Sequence, residues 1–245
     1  MHGKMGKIIL MKEVGSLQER IEILRLEGAN CLSDIATALE KAAVIHSYDL
    51  AVDHDSLLAK CGCLWMLVRY QIRLHRFPKG ALRVETFLRQ PKSAFSLRDF
   101  TLYEGEEEIG QAVQTWVLAD EKERKVKPLS VCAEYLTAPT PTPERSSKPM
   151  RIKLPETLGK LGDWTVLTEQ IDDNGHLNNV AYLREAEKYA GSGFTALDVA
   201  FERECFTGES LTLEGAQADA AYFVCIRKEN GEVSFTARFG KETPE

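Results

Sequence analysis

A chain of 245 residues is long for one compact domain and comfortable for two of roughly 100–150 residues each. Apolar residues make up 44% of it, enough for a sizeable core, which excludes global disorder. A formal charge of −6 excludes general nucleic-acid binding, which needs a strongly basic surface.

Near the N-terminus the only apolar run is Ile8-Ile9-Leu10-Met11. A signal peptide needs about 7–15 apolar residues and a membrane span about 20, so neither is expected, and no plant-type transit peptide is read either. Six cysteines are scattered without a disulfide framework, and Cys61-Gly62-Cys63 is too tightly spaced for a zinc pair. Reduced thiols and a cytoplasmic location are the expectation.

In chain order, Leu17 to Leu26 reads as a strand and Ser33 to Ala43 as a helix. In that helix Ile35, Ala38, Leu39 and Ala42 fall at helical spacing behind a capping Ser33 or Asp34. A short helical segment follows near Ser56 to Lys60. Trp65 to Phe77, Leu82 to Arg89, Phe95 to Tyr103 and Ile109 to Ala119 are strands rich in β-branched and aromatic residues. Residues Pro139 to Pro149, PTPTPERSSKP, read as a linker or extended crossover.

The second half repeats the order. Trp164 to Ile171 is a strand and Asn179 to Ala190 a helix, with Val180, Leu183, Ala186, Glu187 and Ala190 near one stripe. Leu197 to Glu204, Ser210 to Gln217, Tyr222 to Arg227 and Val233 to Phe239 are strands, the last two joined by an Asn230-Gly231 hairpin. The two helices lie about 145 residues apart, so the repeating unit is a domain. A long helix wrapped by an antiparallel sheet, occurring twice, is an α+β tandem hotdog arrangement. The expected boundaries are an N-terminal domain at 1–138, a linker at 139–160 and a C-terminal domain at 161–245.

Chemistry concentrates in Thr168 to Leu183, TEQIDDNGHLNNVAYL. Asp172, Asn174 and His176 are spaced by two, so in an extended segment all three leave one face. Asn178 and Asn179 are good caps for the helix that follows, whose first N–H groups can serve as oxyanion donors. A second piece is Phe201 to Phe206, FERECF, with Glu204 and Cys205 adjacent and therefore on opposite faces of a regular strand. The corresponding place in the first repeat, Glu27 to Leu32, has no histidine. A metal site is not expected: none of the five histidines is paired at ligand spacing. No cofactor is expected either.

At these residues the sequence resembles the acyl-ACP thioesterases of plants and bacteria. That family's D-x-N-x-H-x-N-N-x-x-Y motif stands here as Asp172 to Tyr182, and its Glu-Cys pair as Glu204-Cys205. Leu64 to Gly80 and Thr115 to Leu129 resemble the family's Trp-Val-x-x-Arg strand and the strand with charged turn that closes its first domain. The family's Trp-Gly-Asp is replaced by Lys79-Gly80-Ala81, and Met1 to Ser16 match nothing in it.

The resemblance implies a double hotdog that hydrolyses acyl-ACP to free fatty acid and carrier protein, with Asp172, Asn174, His176, Glu204 and Cys205 as its catalytic set. Acyl carrier protein is the implied partner, and the protein is a monomer or homodimer. Two mechanisms are open. In one, Cys205 attacks, His176 takes its proton and Asn174 orients the imidazole. In the other, which gives Glu204 a task, Glu204 or His176 activates a water. The first domain is expected to supply an apolar acyl tunnel from Trp65, Leu67, Ile35, Leu39 and Trp116. Arg69, Arg73 and Arg76 begin a basic run in which Glu85 is the lone acid, a candidate docking face for an acidic carrier protein. The rival readings are a hotdog acyl-CoA thioesterase and a non-catalytic acyl-binding module.

Overall fold

The computed structural model describes residues 10–13, 20–25, 31–89, 94–135 and 151–241. The linker expectation at Pro139 to Pro149 and the residues before Cys31 in the first repeat's loop lie outside them.

The first repeat runs β1 (Leu10–Glu13), β2 (Arg20–Arg25), α1 (Leu32–Asp49), α2 (His54–Cys61), β3 (Cys63–Leu74), β4 (Ala81–Leu88), β5 (Phe95–Glu104), β6 (Glu107–Asp120) and β7 (Val126–Lys127). The second runs β8 (Gly159–Thr165), α3 (Asn179–Ala190), β9 (Ala196–Phe201), β10 (Ser210–Ala218), β11 (Ala221–Lys228) and β12 (Val233–Gly240). These strands make one 12-stranded sheet in the order β1-β2-β4-β5-β6-β3-β9-β12-β11-β10-β8, with β7 on β6. Outward from the centre, β3, β6, β5, β4 and β2 of one repeat mirror β9, β12, β11, β10 and β8 of the other. The duplication is therefore a pseudo-twofold. Its seam is the antiparallel β3–β9 pairing from Arg69↔Ala200 to Arg73↔Ala196, which leaves neither central strand an open edge.

Helix α1 outruns the expected Ser33–Ala43 by six residues at its C-terminal end, because nothing in Val44 to Asp49 breaks it and Ser47 Oγ returns a hydrogen bond to the Ala43 carbonyl. Ile35, Leu39 and the small Ala36, Ala38 and Ala42 are fully buried against the sheet. Helix α1 has no side-chain cap of its own. Instead Glu187 of α3 accepts from the Leu32 and Ser33 N–H groups at 2.6 and 3.1 Å, and Arg184 donates to Thr37 Oγ1 at 3.3 Å. A carboxylate at a helix N-terminus satisfies orphan donors and complements the dipole. The contacts run antiparallel, so the middle of α1 lies beside the start of α3.

Strand boundaries around the second repeat's loop differ from the sequence reading. The strand expected at Trp164 to Ile171 is β8, Gly159–Thr165, which begins inside the segment assigned to the linker. Past Thr165 the chain turns through Thr168–Gln170, where Gln170 Oε1 accepts from Leu167 N. The strand expected to reach Glu204 stops at Phe201. Buried residues of both helices and both halves of the sheet form one core cluster, with a satellite of Val52, Leu57, Cys63, Leu118, Leu129 and Cys132 under α2. Among the described residues no helix is long and apolar enough to cross a membrane.

Candidate active site

The segment Asp172 to His176 is not extended, which corrects the expectation that its three side chains leave one face. Ile171 and Leu177 pair as an antiparallel bridge, and Asp172 N donates to the His176 carbonyl at 2.9 Å. Gly175 N returns to the Asp172 carbonyl, and Asp172 Oδ1 accepts from Asn174 N. The reason is Asn174-Gly175: Gly175 takes φ +80°, which L side chains rarely adopt, and the Asp172 carboxylate closes an Asx turn. The hairpin sets the Asp172 and His176 side chains face to face across its two arms.

His176 lies between two carboxylates. Nδ1 is 3.5 Å from Asp172 Oδ2, and Nε2 is 3.5 Å from Glu204 Oε1. All three side chains are largely buried, at 12, 16 and 18% exposure. Glu204 reaches this place because β9 ends three residues earlier and the Cys205 carbonyl accepts from Leu177 N, lashing the segment to the hairpin. The side chain of Asn174 makes no hydrogen bond among the described residues and lines the same cavity.

Alternation sends Cys205 the other way. It is fully buried in the core, near Tyr182 and Ser234, and does not line the cavity. Burial pushes its thiol up from the ordinary value, partly offset by hydrogen bonding from Tyr182 and Ser234. At the start of α3, Asn178 Oδ1 caps Val180 N at 2.8 Å and the Asn178 carbonyl takes Ala181 N. The amide of Asn179 has no protein acceptor among the described residues, and Asn179 lines the cavity.

The cavity has a volume of about 1240 Å³, above the ~300–1,000 Å³ of ordinary small-molecule pockets, and runs from the hairpin into the first repeat. Trp65, Leu67 and Trp116 line it as expected of a tunnel. Ile35 and Leu39 do not, because they face the sheet; α1 turns Glu40, Val44, Ser47 and Tyr48 toward the cavity instead. Trp65 is fixed by its indole N–H donating to the Val52 carbonyl at 3.0 Å.

The arginines do not form a free positive face, and Arg69, Arg73 and Arg76 do not reach the cavity. Arg69 pairs with Glu202, Arg73 with Asp198, and Arg76 with Glu104 and Glu107. Arg83 pairs with Glu85 and Arg89 with Asp99. Counting neighbours along the sequence missed acids that the topology brings in from β9 and from the β5–β6 hairpin.

Two cavity residues escaped the sequence reading. Glu40 of α1 meets the Asn178 side chain; burial, then the Asp172 charge, raise its carboxyl to about 7. Its signal was an acid set between the buried Leu39 and Ala42. Arg124, from the turn between β6 and β7, has Nη1 3.5 Å from Glu204 Oε1. No group of metal-ligating side chains occurs among the described residues.

A strand-paired tandem of helix-wrapping sheets with one acidic, histidine-bearing loop at the cavity wall is a double hotdog. By fold the chain is similar to an acyl-ACP thioesterase from Bacteroides thetaiotaomicron (TM-score 0.76, 20% identity, covering 91% of this chain and 98% of that one). It is similar also to a 12:0-ACP thioesterase from Umbellularia californica (TM-score 0.79, 13% identity, 93% and 98%). Residues 21–137 match the model of the acyl-ACP thioesterase N-terminal domain. No curated protein matches the sequence. The first repeat thus matches that family's N-terminal domain, and the whole chain shares the double-hotdog fold of these two enzymes.

Proposed function

We propose that the protein hydrolyses fatty acyl-ACP thioesters to free fatty acid and acyl carrier protein, ending chain elongation. The observation that carries this reading is His176 bridged between Asp172 and Glu204 on the wall of a long cavity. Asp172 orients the imidazole through Nδ1, so Nε2 and the Glu204 carboxylate flank the space where a water can stand. The acyl chain runs into the first repeat past Trp65, Leu67 and Trp116, and the carbonyl lies near the Asn174 amide and the Asn179 N–H, which take the developing oxyanion.

Water oxygen attacks the carbonyl carbon, and its proton passes to the Glu204–His176 pair. The tetrahedral intermediate then expels the pantetheine sulfur, which receives that proton. One O–H and the C–S bond break as C–O and S–H form. Cys205, buried behind the site with its thiol held protonated, is a packing residue in this scheme.

The test is turnover of acyl-ACPs and acyl-CoAs of varied chain length by the wild type and by His176→Ala. The proposal requires release of fatty acid from acyl-ACP, loss of about a thousandfold or more in the variant, and lower kcat/KM on acyl-CoA of equal length. Preference for acyl-CoA would make it a CoA thioesterase. Tight acyl binding without turnover would make it a binding module.

A further inference from the structure

The first repeat, which carries none of the Asp172-to-His176 hairpin, sends a cation, Arg124, to the Glu204 carboxylate. Asp120, at the end of β6, builds a closed turn around itself. Its Oδ1 accepts from Lys122 N and Glu123 N at 3.0 and 2.9 Å, and its Oδ2 pairs with Lys127 at 3.3 Å. Its backbone accepts from Arg124 N and donates to the Lys125 carbonyl, both at 2.9 Å. Glu121 N ties the turn to Gly62 at the end of α2. The turn holds Arg124 at φ +54°, in the left-handed region that only glycine and a few polar residues occupy readily. A strained backbone at a cavity wall is an outlier from which function can be inferred.

From that anchor the guanidinium crosses to the second repeat. Arg124 Nη1 and Glu204 Oε1 are 3.5 Å apart. Both atoms are shut off from solvent, and neither has a hydrogen-bond partner. The same Oε1 lies 3.5 Å from His176 Nε2. The Glu204 carbonyl accepts from Lys228 Nζ at 3.0 Å, which fixes the backbone but leaves the carboxylate to the other two groups. A buried carboxylate oxygen flanked only by an imidazole and a guanidinium is held by charge.

We infer that Arg124 is a positioning residue: it holds the Glu204 carboxylate beside His176 for water activation, so that the catalytic set of the second repeat is completed by the first. This rests on the hydrolase reading above. Arg124 acts through Glu204 and not on the substrate, so its loss changes kcat and leaves KM.

The test uses the full chain with Arg124→Gln and Arg124→Lys, which leave the turn's backbone requirement as it is. Kinetics are measured on acyl-ACP. Arg124→Gln should lower kcat about ten- to a hundredfold at constant KM. Arg124→Lys, which keeps the charge, should recover most of that loss. A wild-type kcat in Arg124→Gln overturns the inference, as does a loss confined to KM, which would make Arg124 a substrate-binding residue. Thermal midpoints of Arg124→Gln, Glu204→Gln and the double variant need no turnover. Losses that fail to add support the pairing, and strictly additive losses overturn it. A wild type inert toward every thioester would remove the hydrolase reading while this cycle still decides the pairing.

Discussion

Replacing Glu40 by glutamine tests whether the two repeats share one buried, electrostatically coupled site. The Glu40 carboxyl is raised from 4.5 to about 7, first by burial and then by the charge of Asp172. The native protein therefore keeps a proton on Glu40 between pH 4.5 and 7 that the unfolded chain has released. Stability from this group is complete below about pH 4.5 and lost as pH rises through about 7. At about 1.36 kcal/mol per unit, the interval is worth roughly 3 kcal/mol at most. Glutamine keeps the shape and a partner for Asn178 but cannot ionise. Urea unfolding at pH 4.5 and pH 8 should show Glu40→Gln close to wild type at the lower pH and more stable by roughly 1–3 kcal/mol at the higher. A difference independent of pH, or a variant less stable at pH 8, would refute the placement of Glu40 against Asp172.

Other consequences follow from named contacts. Glu187→Ala removes the acceptor of the Leu32 and Ser33 N–H groups, so denaturant titration should show a loss of about 1–2 kcal/mol. Gly175→Ala forces a Cβ into φ +80°, and kcat should fall more than Tm because the hairpin that carries His176 must shift. Charge reversal at Arg73 sets a like charge against Asp198, which keeps only Arg238 and Gln71 among the described residues, so Arg73→Glu should lower Tm while changing kcat/KM on acyl-ACP and acyl-CoA by the same factor. An effect restricted to acyl-ACP would restore a docking role to that strand.

The architecture was legible because it is written in periodicity. The Ile35-Ala38-Leu39-Ala42 stripe, the Asn178 cap and the Asn230-Gly231 hairpin each act within a few residues, and each places its element. Adjacency left open which of Glu204 and Cys205 faces His176, because β9 ends at Phe201 and regular alternation ends with it. What the sequence hid was long-range. The hairpin at Asn174-Gly175 hinges on a competition between extension and an Asx turn, which local pattern leaves open. Glu40, Arg124 and Glu187 act across the β3–β9 seam on residues more than a hundred positions away or, for Arg124, eighty. The arginine run misled for the same reason, its partners Asp198 and Glu202 lying on and just past a strand of the other repeat.

The account stands on Glu204 and His176 activating water while Cys205 packs the core behind them. Its most direct test is kcat/KM on one acyl-ACP for Cys205→Ala beside Glu204→Gln. Cys205→Ala should keep more than about a tenth of wild-type kcat/KM and Glu204→Gln should lose about a thousandfold or more. A collapse of Cys205→Ala by several powers of ten, or an acyl group trapped on Cys205, would contradict it.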